Sequence, residues 1–199
     1  GFMKEETSAD VARRVRQYAR LALSSSRYDH CERVAALCRN LCERFGVPAD
    51  DGDLAGISHD MCKAFKERLL VNLASRDGAP LSAIEADKPS LLHGRAAAVL
   101  LAADFAVTRK TVIEAVRHHT FGAPGLDALG KIVFVADKLE PGRECLGEDR
   151  RQELLAMDLD AMTAAVLADN VAYLESRGRQ VSGSTRAMLA ELTEGRMNP

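Results

Sequence analysis

The sequence predicts an all-α protein, and three features carry that expectation. Alanine and leucine recur throughout, aromatic residues make up only 5% with no tryptophan, and β-branched residues do not cluster into strand-like runs. With 199 residues and 47% hydrophobic content the chain can bury one sizeable core. One domain over residues 1–199 is therefore expected, with a core of about 18–145 and a helical C-terminal extension of about 146–199.

Val11, Val15, Tyr18, Leu21 and Ala22 at helical spacing predict an opening helix from Ser8 to Leu23, ended by Ser24-Ser25-Ser26. Val34, Leu37, Cys38, Leu41 and Phe45 predict a second, closed by Gly46 and Pro48, with His30 at its start. Asp50 or Asp51 reads as the cap of a third, whose Leu54, Ala55 and Ile57 lead into His59-Asp60, with Lys63 one turn later. Residues 66–75 read as a short helix, Asp77-Gly78-Ala79-Pro80 as a turn and Lys88-Pro89 as a break. An alanine-rich helix spans Arg95 to Phe105, with His93 at its entrance. Thr108 reads as the cap of the next, which carries Val112, Ile113, Ala115 and Val116 and ends in His118-His119-Thr120. After a loop from Gly122 to Gly125, Leu126 to Ala136 make a strongly apolar helix leading to Asp137-Lys138 and Glu140-Pro141-Gly142-Arg143. Glu148 to Arg177 holds one or two further helices, and the tail to Pro199 reads as polar with few anchors.

Composition narrows the function. A net charge of −2 and a pI near 6.2 leave no footprint for non-specific nucleic-acid binding, so an anionic partner must meet a local basic cluster. No run approaches 18 apolar residues, and the charged start GFMKEETSAD is not signal-like; neither a membrane span nor a secretory leader is expected, and the protein reads as cytoplasmic. The five cysteines lack CxxC spacing, and Cys31, Cys38 and Cys42 recur at helical intervals beside apolar residues, as reduced core positions do.

A His-Asp dipeptide alone is weak evidence of a metal site. The chain, however, has five histidines, His30, His59, His93, His118 and His119, each at the end of a helical pattern and none in the C-terminal third. Helix ends converging on a metal pocket require such a placement. Imidazole and carboxylate together suit Fe, Mn, Zn, Co or Ni rather than Ca or Mg.

The order His30, His59-Asp60, His93, His119, Asp137 resembles the signature of HD-domain metallophosphohydrolases, in the variant whose two extra histidines hold a second metal. More closely, RYDHCERV, SHDMCKAF, LLHG, VRHHTFG and IVFVADKLEPGR resemble segments of the bacterial YqeK-type symmetrical diadenosine-tetraphosphate hydrolases, over about Arg27 to Arg143. The resemblance implies that His30, His59, Asp60 and Asp137 bind one metal and His93 and His119 a second, with Asp60 bridging. A carboxylate has two oxygens and can bridge, whereas a neutral imidazole binds one cation. His118, pointing elsewhere around the helix, is left out. The metals implied are two divalent or mixed-valence ions, iron first, then Mn, Co or Zn. Arg27, Lys63, Thr120, Lys138 and Arg143 would ring the pocket and bind a polyphosphate.

The chemistry so implied is hydrolysis of diadenosine tetraphosphate to two ADP by water activated between two cations about 3.5–4 Å apart, with Asp60, Lys63 and Arg143 as catalytic residues and Lys63 or Arg143 stabilising the leaving phosphate. The partner is thus a small dinucleoside polyphosphate, and a homodimer is one assembly open to the chain. Two rival readings share the site: an HD phosphohydrolase acting on a nucleoside monophosphate, guanosine alarmone or cyclic dinucleotide, and a nucleotide sensor without turnover.

Overall fold

The structure, a computed structural model, describes residues 4–195; Gly1 and Phe2 lie outside that range. It is helical, with eleven α-helices and no strand among the described residues. The helices are α1 (Ser8–Ala22), α2 (Ser25–Phe45), α3 (Ala49–Ser58), α4 (Glu67–Ala74), α5 (Ala83–Asp87), α6 (His93–Ala103), α7 (Lys110–Arg117), α8 (Ala128–Leu139), α9 (Glu148–Leu155), α10 (Leu159–Ser176) and α11 (Gly183–Glu194). None is long and apolar enough to cross a membrane.

Helix α3 is the centre of the arrangement, packed against α1, α2, α7 and α8. Its apolar residues Leu54, Ala55 and Ile57 are fully buried, as are the cysteines of α2 that face it, Cys38 and Cys42. Two glycines one turn apart let the backbones close. A Cβ on Gly56 would sit 2.6 Å from Ala35 Cα, and one on Gly52 would sit 2.5 Å from Cys42 Sγ. Any side chain there would push α3, and the His59-Asp60 pair at its end, away from α2. On the other side α8 buries Ile132, Val133, Phe134 and Val135 completely; truncating a ring buried like that of Phe134 costs about 3–5 kcal/mol.

Several boundaries differ from the sequence expectations, for local reasons. Ser24 does not end the first helix so much as cap the second, its Oγ accepting the Arg27 N–H at 3.3 Å, so Ser25 and Ser26 belong to α2. His30 consequently lies in the second turn of α2 rather than at its start. Pro48 takes the N-cap of α3, leaving Asp50 and Asp51 in the first turn. Asp51 instead accepts from Ser8 Oγ at 2.6 Å and pairs with Arg109 at 2.8 Å, tying three helix starts together. Arg109, not Thr108, is the N-cap of α7, and Thr108 Oγ1 donates to Glu5 at 3.2 Å. Helix α5 lay hidden in a turn-rich stretch; its signal is the capping box of Ser82 and Glu85. The tail is anchored, contrary to expectation: α11 buries Thr185, Met188 and Leu192, and Thr185 Oγ1 donates to Phe121 O at 2.6 Å.

Candidate metal centre

Three of the histidines are held by one repeated device. The carbonyls at a helix end have no helical partner, and His59 Nδ1 donates to Gly56 O at 2.6 Å, three residues back. His93 Nδ1 does the same to Ser90 O at 2.8 Å, and His119 Nδ1 to Val116 O at 2.8 Å. A carbonyl can only accept, so in each ring the proton sits on Nδ1 and Nε2 presents its lone pair inward. In His30 the Nδ1 faces Glu140 Oε1 at 3.3 Å, which orients that ring in the same sense. Fixing the outer nitrogen this way is how metal-binding histidines are oriented in general.

After α3 the backbone tightens into successive turns, Met61 N to Ser58 O at 3.0 Å and Lys63 N to Asp60 O at 2.9 Å. His59 and Asp60 thereby both face the centre, although neighbours on a regular helix would diverge by about 100°. The two oxygens of Asp60 face different histidines. Oδ2 lies 3.7 Å from His30 Nε2 and 3.6 Å from His59 Nε2, whereas Oδ1 lies 3.2 Å from His93 Nε2 and 3.4 Å from His119 Nε2. Asp137 Oδ1 completes the first group, 3.1 Å from His30 Nε2 and 3.4 Å from His59 Nε2. All six residues expected to converge thus come together, and their ligand atoms form overlapping groups within 4.8 Å, such as His30, His59 and Asp60 or Asp60, His93 and His119.

The donor set fits metal ions. His59 is fully buried, and its Nε2 makes no hydrogen bond to the protein. The His93 and His119 Nε2 atoms stand 3.1 Å apart, both with lone pairs, about the spacing of two neighbouring ligands on one ion. Burial opposes ionising Asp60, but His59, His119 and His93 outweigh it and hold the carboxyl well below the ordinary range. Asp137 is held low in the same way, against its burial, by Lys138, His30 and His59. Burial pulls His59 down, yet Asp60 and Asp137 win and push it up, while burial pushes His119 down to about 4. The centre is therefore rich in lone pairs and negative charge that a cation would satisfy. Close packing keeps it in place: a Cβ on Gly94 would meet the His119 ring at 2.9 Å.

Of the cavity residues, Arg27, Lys63, Thr120 and Arg143 line a space of about 200 Å³ over Asp60, His93, His119 and Asp137. Arg27 Nη1 donates to Asp60 Oδ2 at 3.0 Å and Arg143 Nη2 to Asp137 Oδ1 at 3.0 Å. Lys138 does not line that space. Its Nζ turns to the His119 and Phe134 carbonyls, 3.4 Å from each, over the Phe134 ring. His118 faces out and meets Glu114 at 3.1 Å. A larger cavity of about 870 Å³ beside Glu5, Asp51 and Arg109 contains none of these residues, so volume does not locate the chemistry. Sequence reading passed over Glu140, which is 1% exposed, accepts from Arg33 and the Gly142 N–H, and orients His30. Its signal is an acid one turn after Asp137 at the end of an apolar helix.

The HD domain family matches residues 27–142, and the chain belongs to that family. Within it, the chain is similar to the symmetrical bis(5'-nucleosyl)-tetraphosphatase of Bacillus subtilis, 28% identical over 82% of this chain and 87% of that protein. The enzyme of the same name from Halalkalibacterium halodurans is 26% identical over 85% of this chain and 90% of its own. The crystal structure of a predicted HD superfamily hydrolase involved in NAD metabolism from Clostridium acetobutylicum superposes with a TM-score of 0.86 at 23% identity, covering 92% of this chain and 97% of that one, which shows the shared fold. The protein is an HD-type hydrolase, related to diadenosine-tetraphosphate hydrolases, whose His/Asp cluster could hold metal.

Proposed function

We propose that the protein hydrolyses diadenosine tetraphosphate symmetrically to two ADP, with His30, His59, Asp60 and Asp137 holding one metal and His93, His119 and Asp60 a second. The observation that carries this reading is the division of Asp60, whose two oxygens face two different pairs of histidines. When bound, a metal pair supplies Lewis acidity and lowers the pKa of water at the site. Iron is our first choice, with Mn, Co and Zn next.

The chain's own residues then position and neutralise. Arg27, Lys63 and Arg143 bring three cationic side chains to one small cavity, the local basic cluster that a globally acidic protein needs for a polyphosphate. Arg27 and Arg143, each 3.0 Å from a carboxylate oxygen of the cluster, are fixed before substrate arrives. In the reaction a bond forms from water oxygen to an inner phosphorus and the central bridging P–O bond breaks. Lys63 and Arg143 stabilise the charge that develops on the departing ADP. Thr120, whose buried Oγ1 has no hydrogen-bond partner, is placed to donate to a phosphate oxygen.

Chromatography of products from the metal-loaded enzyme tests this. Two ADP support it; AMP with ATP, or cleavage of a mononucleotide in preference to the tetraphosphate, refutes symmetrical cleavage. Lys63→Ala or Arg143→Ala should keep the metal and lose roughly ten- to a hundredfold in kcat/KM, about 1.4–2.7 kcal/mol.

A further inference from the structure

Two further cavities adjoin the metal cavity. It shares Leu91 and Thr120 with a cavity of about 390 Å³ that reaches the N-terminus of α11. It shares Asp137 and Arg143 with another of about 560 Å³ that lies against α8 and α10. Small-molecule pockets run about 300–1,000 Å³, so each flank has room for a nucleoside, while the centre between them has room for phosphates alone.

The two flanks differ in chemistry. The α10 flank is walled by Leu139, Leu146, Leu154 and Val166 and rimmed by Asn170 and Tyr173. Tyr173 is 52% exposed, so no need of the core explains a tyrosine there; the Arg177 guanidinium lies 5.4 Å from its ring centroid, and a base stacking on the ring would meet that cation as well. An asparagine amide sets one donor beside one acceptor, the pattern that pairs with the N6/N7 edge of adenine. The α11 flank is more polar at its mouth, with Phe121 and Arg117 on one side and Ser182 and Ser184 on the other. Thr120, with its unpartnered hydroxyl, stands where this flank meets the metal cavity.

We propose that the two flanking cavities each receive one nucleoside of a two-ended polyphosphate, so that α10 and α11 complete the substrate site from opposite sides of the metal centre. The proposal rests on the reaction inferred above and adds to it which parts of the chain measure the substrate's length. A scissile bond at the middle of the phosphate chain follows from a metal centre that lies between two nucleoside sites. The C-terminal helices, which contribute no metal ligand, thereby acquire a role in specificity.

The test counts ADP, the product, on metal-loaded protein by isothermal titration, alongside KM for diadenosine tetraphosphate. Wild type should bind two ADP per chain. The paired substitution Asn170→Ala with Tyr173→Ala should leave one, and so should Gly183→Tyr, a position where a Cβ meets no atom within 4 Å. Each should raise KM roughly tenfold, with an unchanged thermal midpoint as the folding control. One ADP per wild-type chain, or two in both variants with unchanged KM, overturns the assignment, and continued release of two ADP would then leave the reaction standing. Failure of the wild type to cleave the tetraphosphate overturns the reaction and the assignment together.

Discussion

Two buried clusters of charged and polar groups make a contrast: the one around Arg95 is complete, and the one around Asp60 is not. Around Arg95, every guanidinium nitrogen has a partner: Nε and Nη2 each donate to Asp77 at 2.8 Å, Nη1 donates to both Glu85 oxygens at 3.1 Å, and Nη2 also reaches Ala79 O. The cluster around Asp60 is built with equal care but faces lone pair against lone pair, leaving His59 Nε2 with nothing to bond. A buried polar cluster that satisfies itself is there to hold the fold; one that leaves converging lone pairs unmet is shaped for a guest. The difference can be attacked from either side.

Removing the shared carboxylate should have the largest effect. Asp60→Ala takes away the carboxylate whose two oxygens face different histidine pairs, and it should lower kcat on the order of 10³-fold or more and strip metal from both. Elemental analysis of the folded variant decides: a full complement of metal would show that the two groups do not depend on a common residue.

The self-complete cluster should answer differently. Arg95→Ala strands Asp77 and Glu85 with no guanidinium, at a cost of about 3–5 kcal/mol in denaturant unfolding, while the folded fraction keeps its metal-to-protein ratio. Loss of metal without loss of stability would erase the distinction drawn between the clusters.

A smaller effect is expected one layer out. Glu140→Gln keeps the shape but removes the charge that orients His30 and pairs with Arg33, and chelator competition should show metal affinity down about 10- to 100-fold. The pH dependence sharpens this. Because Asp60 and Asp137 push His59 above its ordinary value while burial holds His119 near 4, a proton on His59 competes with metal at a higher pH than one on His119. Affinity should therefore weaken by up to about tenfold per pH unit as pH falls below the raised value of His59, with no separate step from His119 until near pH 4.

How much of this could be read from the chain follows the same division. His59, Asp60, His93 and His119 were legible because each sits where a helical pattern starts or stops, and carbonyls three residues back fix the three rings, whereas His30, in the second turn of α2, and Asp137, inside α8, were legible from the ordered motif segments. Glu140 was not, since an acid in a loop-like Leu-Glu-Pro-Gly-Arg run looks solvated until Arg33 folds over it. The α11 anchor was hidden for a similar reason: Thr185 and Met188 meet the loop at Phe121 and Gly122, distant in sequence, which periodicity in a polar tail does not reveal. Lys138 lies near Asp137 in space as in sequence, Nζ 3.5 Å from Asp137 Oδ2, but it lines the flank against α10 rather than the metal cavity, a distinction that spacing along the chain does not make.

The smallest effect belongs to a histidine beside the site. His118 and His119 are adjacent, yet His118 ends α7 pointing outward, 3.1 Å from Glu114 one turn back, while His119 lies past the helix with its ring buried against His93. A half-exposed pair four residues apart on a helix contributes only about 0.3–0.5 kcal/mol. His118→Ala should therefore shift stability by no more than that and leave metal content unchanged, whereas His119→Ala opens the second histidine group and should lose the metal held there. Both variants carry the same chemical deletion one residue apart, so the contrast isolates direction from composition. Equal damage from the two would mean that the end of α7 can turn either ring inward, and that the carbonyl of Val116 does not fix the choice between them.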